Sequence, residues 1–126
     1  MPFVRVDLAE GKSVEYRQAV SASIQQALIA ALAIPTDDLF QLITEHPQHE
    51  IIYDPGYLGI NRDIDLIFIQ ITLRVGRTVA QKKVLYQELS TRLAASPGLK
   101  PANIFVMLHE IALENWSFGE GLAQYA

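Results

Sequence analysis

The chain repeats part of its own sequence at an interval of 65 residues. Gly11-Lys12-Ser13-Val14 returns as Gly76-Arg77-Thr78-Val79, and Glu45 corresponds to Glu110 at the same interval. A repeat of this length is typical of one supersecondary unit used twice. Such a unit has to fold in a form that buries an apolar face against its own copy.

The first copy reads as a strand, a helix and a second strand. Phe3–Leu8 has the partial alternation of a strand, and Leu39–Thr44 reads as the second strand. Ser13 is placed to cap a helix that runs to about residue 33. The apolar residues of this helix recur at helical spacing: Val20, Ile24, Ala27, Leu28 and Ala31.

The second copy follows the same order. Ile64–Leu73 is nearly continuous in apolar residues, as expected for a central strand, and Ile104–Ile111 reads as the last strand. Between them Thr78 caps a helix that stops at Ser96-Pro97-Gly98. Its apolar residues lie four apart: Leu85, Leu89 and Leu93. The polar segment 45–63 is expected to be a connection with at most one small strand.

Two tandem βαβ units predict an α+β fold, with a four-stranded mixed sheet and both helices on one face. We expect a single domain over residues 1–126, with the pseudo-repeat at about 2–45 and 65–111 and a C-terminal tail at 112–126. The other sheet face remains apolar at Phe3 and Phe68. Association with copies of itself is therefore expected.

Composition excludes several classes of function. The chain has 126 residues and no cysteine, which excludes disulfides, thiolate metal sites and thiol catalysis. A net charge of −4 argues against a nucleic-acid binder. No apolar run is long enough to span a bilayer and no secretory signal opens the chain, so we expect no membrane association and a cytoplasmic location.

Pro2 is the first candidate functional residue, and it allows two interpretations. Proline often opens an edge strand, where its missing N–H costs nothing. Alternatively, removal of Met1 exposes a free prolyl amine. An ordinary α-amino group has a pKa of about 8. Burial and nearby arginines lower that pKa and a nearby carboxylate raises it, so the amine can serve as a base or as a cationic acid.

Arg74 and Arg77 end the predicted central strand and precede the second helix. The two N–H donors of a guanidinium match the two oxygens of a carboxylate. Gly76 and the helix N-terminus add backbone donors for an anion. Two solvated turn arginines are the plain alternative, but their place beside the repeat-related Pro2 strand favours an anion site.

The remaining candidates are weaker. Asp37 and Asp38 follow a proline, where an aspartate often only shapes a turn. Aromatic residues such as Trp116 and Phe118 in the glycine-containing tail are more often core or interface than pocket wall. The three histidines do not predict a metal site, because two lie in a proline-containing loop without further ligands and the third lies in a strand: His46, His49 and His109.

Together these segments resemble the tautomerase superfamily, whose members are βαβ repeats with a catalytic amino-terminal proline. The similarity is closest to its malonate semialdehyde decarboxylase branch. It runs through MPFVRVDL, IPTDDLFQ, EHPQHE, DLIFIQITLRVGRT and WSFGEGLAQY. The aromatic tail together with the arginine pair is the specific part. Two residues separate the arginines here, whereas some members of the branch have one.

The resemblance implies a role for each candidate residue. The catalytic amine falls on Pro2, its acidic partner on Asp38, the carboxylate-binding arginines on Arg74 and Arg77, and the aromatic pocket wall on Trp116 and Phe118. It also implies a homotrimer without cofactor or metal, acting on a small 3-oxo or unsaturated carboxylate.

The implied activity is decarboxylation with a cationic Pro2, with hydration of acetylenic acids as a side activity. Three alternatives stay open at this point. Pro2 can be a neutral base for keto–enol tautomerisation of a 2-oxo acid, or an amine that forms an iminium with an aldehyde. The fold can also serve as a non-enzymatic binding protein.

Overall fold

Four strands form one mixed sheet in the computed structural model, which describes residues 1–126. The central strands β1 (Phe3–Ala9) and β3 (Ile67–Arg74) run antiparallel. β2 (Gln41–His46) lies parallel to β1, and β4 (Ile104–Ile111) lies parallel to β3. The order across the sheet is β2-β1-β3-β4. The predicted four-stranded mixed sheet is confirmed.

Two helices cover one face of this sheet, α1 (Val14–Leu32) and α2 (Val79–Ala95). The Ser13 hydroxyl accepts a hydrogen bond from a backbone N–H of the first turn of α1 at 3.0 Å. Thr78 caps α2 in the same way, and the Gln81 side chain accepts from the Thr78 N–H at 2.9 Å, which completes a capping box. No helix combines the length and apolarity that crossing a bilayer requires.

The core lies between the helices and the sheet. Alternate residues of β1 and β3 point into it, as strand geometry requires, and meet the apolar stripes of both helices. Its fully buried members include Val4, Val6, Ile24, Leu28, Ile69, Ile71, Leu89 and Leu93. Because both helices share one continuous core, the two repeats stabilise each other.

An ion pair recurs in both halves at the 65-residue interval. Arg17 of α1 pairs with Glu45 of β2, and Lys82 of α2 pairs with Glu110 of β4. Each pair joins the beginning of a helix to the end of the following strand. The repeat in the sequence therefore corresponds to a repeated contact between side chains.

The opposite sheet face is uncovered, as expected from its apolar residues. Phe68 and Phe105 meet edge to face with ring centroids 5.2 Å apart. They border a hollow of about 290 Å³, together with Met107 and an Asp7–His46 pair at 2.7 Å. This hollow contains no arginine and no chain terminus.

The segment between the halves does not contain the small strand that its apolar run allows. Two short 3₁₀ turns form instead, at Gln48–Glu50 and Tyr57–Gly59. Arg62 closes the segment on itself, because its side chain donates to the Tyr57 carbonyl at 2.9 Å and its N–H donates to the Pro55 carbonyl at 2.9 Å. These bonds hold residues 55–62 as a local loop.

The predicted boundary at residue 64 is wrong for β3, which begins at Ile67. Asp63 delays it, since its side chain accepts from the Asp65 N–H at 2.9 Å and its carbonyl accepts from the Leu66 N–H at 3.0 Å. This local turn uses the donors that a strand would offer to its neighbour. β2 likewise begins at Gln41, two residues later than predicted.

Replacement of Thr78 by alanine is expected to lower the free energy of unfolding by about 1 kcal/mol, because the hydroxyl that accepts from the Gln81 N–H is lost. Urea denaturation followed by circular dichroism measures the change. Thr78→Ser keeps the hydroxyl and serves as the control. An alanine variant as stable as the serine variant would contradict the prediction.

Candidate active site

The start of β1 and the end of β3 meet at one end of the two central strands. Their antiparallel register pairs Phe3 with Thr72, so the chain terminus lies close to Arg74. A cleft of about 360 Å³ opens there. Its lining consists of Met1, Leu32, Ala33, Ile34, Pro35, Asp38, Arg74, Arg77, Leu113 and Tyr125.

Asp38 holds the amino terminus of the chain. Its carboxylate forms an ion pair with the Met1 ammonium, and both groups are largely buried, with side-chain exposures of 15% and 9%. Pro2 is buried directly behind Met1. Asp37, the neighbouring acid, is exposed, and its carbonyl accepts from the Leu39 N–H at 3.0 Å within the turn. Of the two consecutive acids, Asp38 is the one in the cleft.

Arg74 and Arg77 contribute two cations to the same cleft, and neither forms an ion pair. Gly76, one of the two residues between them in the turn, has a φ of 114°, which a side chain would strain. This turn brings both guanidinium groups to one side. The Arg77 Nη1 donates to the Leu32 carbonyl at 3.4 Å, while its buried Nε has no partner.

Arg77 is electrostatically uncompensated. Burial, and secondarily the charge of Arg74, lower the pKa of Arg77 from its ordinary value. An arginine stays protonated even so, because its reference pKa lies far above neutrality. An anion bound between the two guanidinium groups would relieve their repulsion and give the free Nε–H an acceptor.

The aromatic tail reaches the cleft through Tyr125. Trp116 and Phe118 stack with parallel rings 5.4 Å apart, and Tyr125 packs edge-on against Phe118 at 5.7 Å. Trp116 and Phe118, the two predicted wall residues, therefore support Tyr125 and do not themselves line the cleft. Sequence reasoning missed Tyr125, although it ends the same WSFGEGLAQY segment.

Gln124 closes the tail into a compact loop. Its amide oxygen accepts from the Phe118 N–H at 2.9 Å, and its amide nitrogen donates to the Gly119 carbonyl at 2.9 Å. The two bonds fix the loop from residue 118 to residue 124. Tyr125, the next residue, is thereby set at the edge of the cleft.

The repeat-related position in the second half lacks this arrangement. Asn103 corresponds to Asp38, but it binds Asp63, accepting from the Asp63 N–H at 3.0 Å and donating to its carboxylate at 2.7 Å. Lys12 corresponds to Arg77 and is paired with Asp65 at 2.6 Å; this bond raises the pKa of Lys12. Of the two repeat-related cations Lys12 and Arg77, only Arg77 therefore has no ion pair.

The histidines lie away from this cleft. His46 pairs with Asp7 on the open sheet face, His49 lies in a short turn, and His109 is exposed on β4. No group of three histidine, aspartate or glutamate side chains is arranged to hold a metal ion.

Comparisons with known proteins agree with this geometry. Two family models, each described as a tautomerase enzyme, match residues 38–119 and residues 2–59. A Bacillus subtilis (strain 168) protein named probable tautomerase YusQ is 40% identical over 98% of this chain and 98% of its own. The solved FG41 malonate semialdehyde decarboxylase, inhibited by 3-bromopropiolate, is 34% identical with a TM-score of 0.92, covering 98% of this chain and 93% of its own. Another malonate semialdehyde decarboxylase structure, described with decarboxylase and hydratase activities, is 25% identical with a TM-score of 0.92 over 98% and 95%.

Proposed function

This chain belongs to the tautomerase family, and we propose that within it the chain is a cofactor-independent decarboxylase of a small 3-oxo acid, similar to malonate semialdehyde decarboxylase. One observation carries the proposal. Two unpaired arginines, Arg74 and Arg77, share a cleft with the amino terminus and its partner Asp38. A carboxylate is the anion that two guanidinium groups hold in a fixed orientation.

The catalytic amine is proposed to be that of Pro2 after removal of Met1. With Met1 present, the Pro2 nitrogen is an amide without a lone pair for chemistry. Removal of Met1 makes Pro2 the chain terminus. Its amine then lies one residue from the position where the Met1 amine now pairs with Asp38. The space now taken by Met1 then becomes available to substrate.

Decarboxylation breaks the bond between the carboxylate carbon and C2, and its electron pair becomes an enolate with charge on the 3-oxygen. Cationic Pro2 donates a hydrogen bond to that oxygen and stabilises the developing charge. Asp38 keeps Pro2 protonated, since a nearby carboxylate favours a cation. Carbon dioxide leaves, and C2 takes a proton to give the aldehyde product.

Arg74 and Arg77 hold the carboxylate so that the breaking bond stays aligned with the carbonyl. Tyr125, supported by the stacked Trp116 and Phe118, supplies an apolar wall. A wall of this kind excludes water and strengthens the charged contacts. It also favours a neutral product over the anionic substrate.

A second candidate activity is tautomerisation of a 2-oxo acid, favoured by the 40% identity to a protein named probable tautomerase. In that reaction Pro2 is neutral and removes a proton from the carbon next to the carbonyl. The arginines again bind the carboxylate. The two activities differ in the protonation state of Pro2.

The pH dependence of kcat/KM separates them. With malonate semialdehyde as substrate, we expect kcat/KM to fall as pH rises through the pKa of the free Pro2 amine, because the cation donates a stronger, charge-assisted hydrogen bond than the neutral amine. Carbon dioxide release measured between pH 5 and pH 10 tests this. A 2-oxo acid turned over with kcat/KM that rises through the same pKa, and no decarboxylation, would instead establish the tautomerase.

We further propose a homotrimer, assembled on the open sheet face bordered by Phe68 and Phe105. Apolar residues exposed on that face include Phe105 and Met107, at 44% and 43%. Hydration of acetylenic acids is a proposed side activity, with Asp38 activating the water.

A further inference from the structure

Like Ser23, Gln25 is a buried polar residue of α1. It is 8% exposed, and its neighbours Ile24 and Leu28 belong to the core. Burial of an amide is costly unless its polar atoms find partners. The Gln25 side chain donates from Nε2 to the backbone carbonyl of Asp38 at 3.0 Å.

This bond anchors the turn that presents the Asp38 carboxylate. Within the turn the Asp38 N–H donates to the Pro35 carbonyl at 3.1 Å. The Asp38 backbone is thus held on one side by its own turn and on the other by α1. Neither bond uses the Asp38 carboxylate, which forms the ion pair with the amino terminus.

The second half of the molecule lacks the anchor. Position 90 of α2 corresponds to Gln25 at the 65-residue interval and is a serine, and no side-chain hydrogen bond joins Ser90 to Asn103. The bond from helix to turn therefore exists only in the half where the turn carries a carboxylate in the cleft.

We propose that Gln25 is a positioning residue for Asp38: it holds the carboxylate against the terminal amine and thereby keeps Pro2 cationic. The inference rests on the proposed function, in which the processed amine is that of Pro2. Gln25 itself touches no substrate. It acts through the backbone of Asp38.

The test is the titration of the Pro2 amine, followed by NMR in protein labelled with ¹⁵N-proline and shown by intact mass to lack Met1. Gln25→Met has nearly the same shape and no donor, and we expect it to lower the pKa of the Pro2 amine by about one unit. The reason is that a carboxylate free to move away stabilises the cation less. The decarboxylase kcat should fall about ten-fold while KM changes little, since the arginines are untouched.

Ser23→Ala is the matched control. Ser23 lies on the same helix, is also 8% exposed, and donates to a backbone carbonyl, that of Ser96 at 2.6 Å, outside the Asp38 turn. The Ser23→Ala variant should lose about as much free energy of unfolding as Gln25→Met, but the titration of its Pro2 amine should be unchanged. A Gln25→Met titration equal to that of Ser23→Ala would overturn the proposal.

A second variant, Gln25→Ala, removes the same donor with a strong helix former and should lower the pKa of Pro2 in the same direction. If neither variant folds, Gln25 is a structural residue of the helix and the positioning role is refuted. The titration needs no substrate. An unchanged amine therefore refutes the role of Gln25, whereas absence of turnover in the unmutated protein refutes the proposed activity.

Discussion

Replacement of Pro2 by alanine is expected to lower kcat/KM about a thousand-fold or more. The ring of proline fixes its nitrogen relative to the chain, and a secondary amine is more basic than a primary one. Alanine supplies a primary amine on a freely rotating terminus, so the hydrogen bond to the 3-oxygen is lost from its fixed position. Steady-state decarboxylation of malonate semialdehyde measures the effect.

Intact mass has to show that Met1 is removed from both the alanine variant and the unmutated chain. We expect removal from both, because proline and alanine are both small second residues. Asp37→Asn serves as a control that leaves the terminal amine in place, because Asp37 is exposed beside Asp38 and does not line the cleft. It should retain full activity. An alanine variant with normal kcat/KM would refute a catalytic role for the proline amine.

Replacement of Arg77 by methionine should lower activity without lowering stability. Activity is expected to fall about a hundred- to a thousand-fold, mostly through a higher KM, because one of the two cations that bind the carboxylate is lost. Stability is expected to rise or to stay unchanged. Arg77 is partly buried without a carboxylate partner, and burial together with Arg74 lowers its pKa, so its charge costs free energy in the folded state.

Thermal unfolding and Michaelis kinetics on the same preparation test both halves of this prediction. Lys83→Met provides the control, since Lys83 is an exposed cation on α2 without an ion pair. It should leave KM unchanged. An Arg77→Met protein that binds substrate normally would show that the cleft does not hold the carboxylate through Arg77.

Local patterns in the sequence predicted the elements well. The caps Ser13 and Thr78 come directly before the two helices, as their hydroxyls and the following apolar periodicity indicate. β4 has its predicted bounds of Ile104–Ile111. Boundaries failed where short-range hydrogen bonds compete with the sheet, as at Asp63 before β3.

The candidate site was less accessible to local reasoning. Arg74 and Arg77 stand out by their position after a strand, and Pro2 by its place before one, but the catalytic roles of Pro2 and Asp38 were assigned by family resemblance. Tyr125 was missed because an exposed tyrosine in a glycine-rich tail has no periodic signal. Only the aromatic packing of the tail shows that it, and not Trp116 or Phe118, reaches the cleft.

By itself the sequence determined a duplicated strand–helix–strand unit and the two caps, because periodicity and capping depend on residues within a few positions of each other. The tertiary structure decided which residues meet. The antiparallel register of β1 and β3 joins an amino terminus to arginines more than 70 positions away. The tertiary structure also distinguished the two halves. Asp38 pairs with the amino terminus, whereas Asn103 binds the backbone N–H of Asp63 within the chain. Such pairings depend on long-range register and burial, which no local pattern specifies.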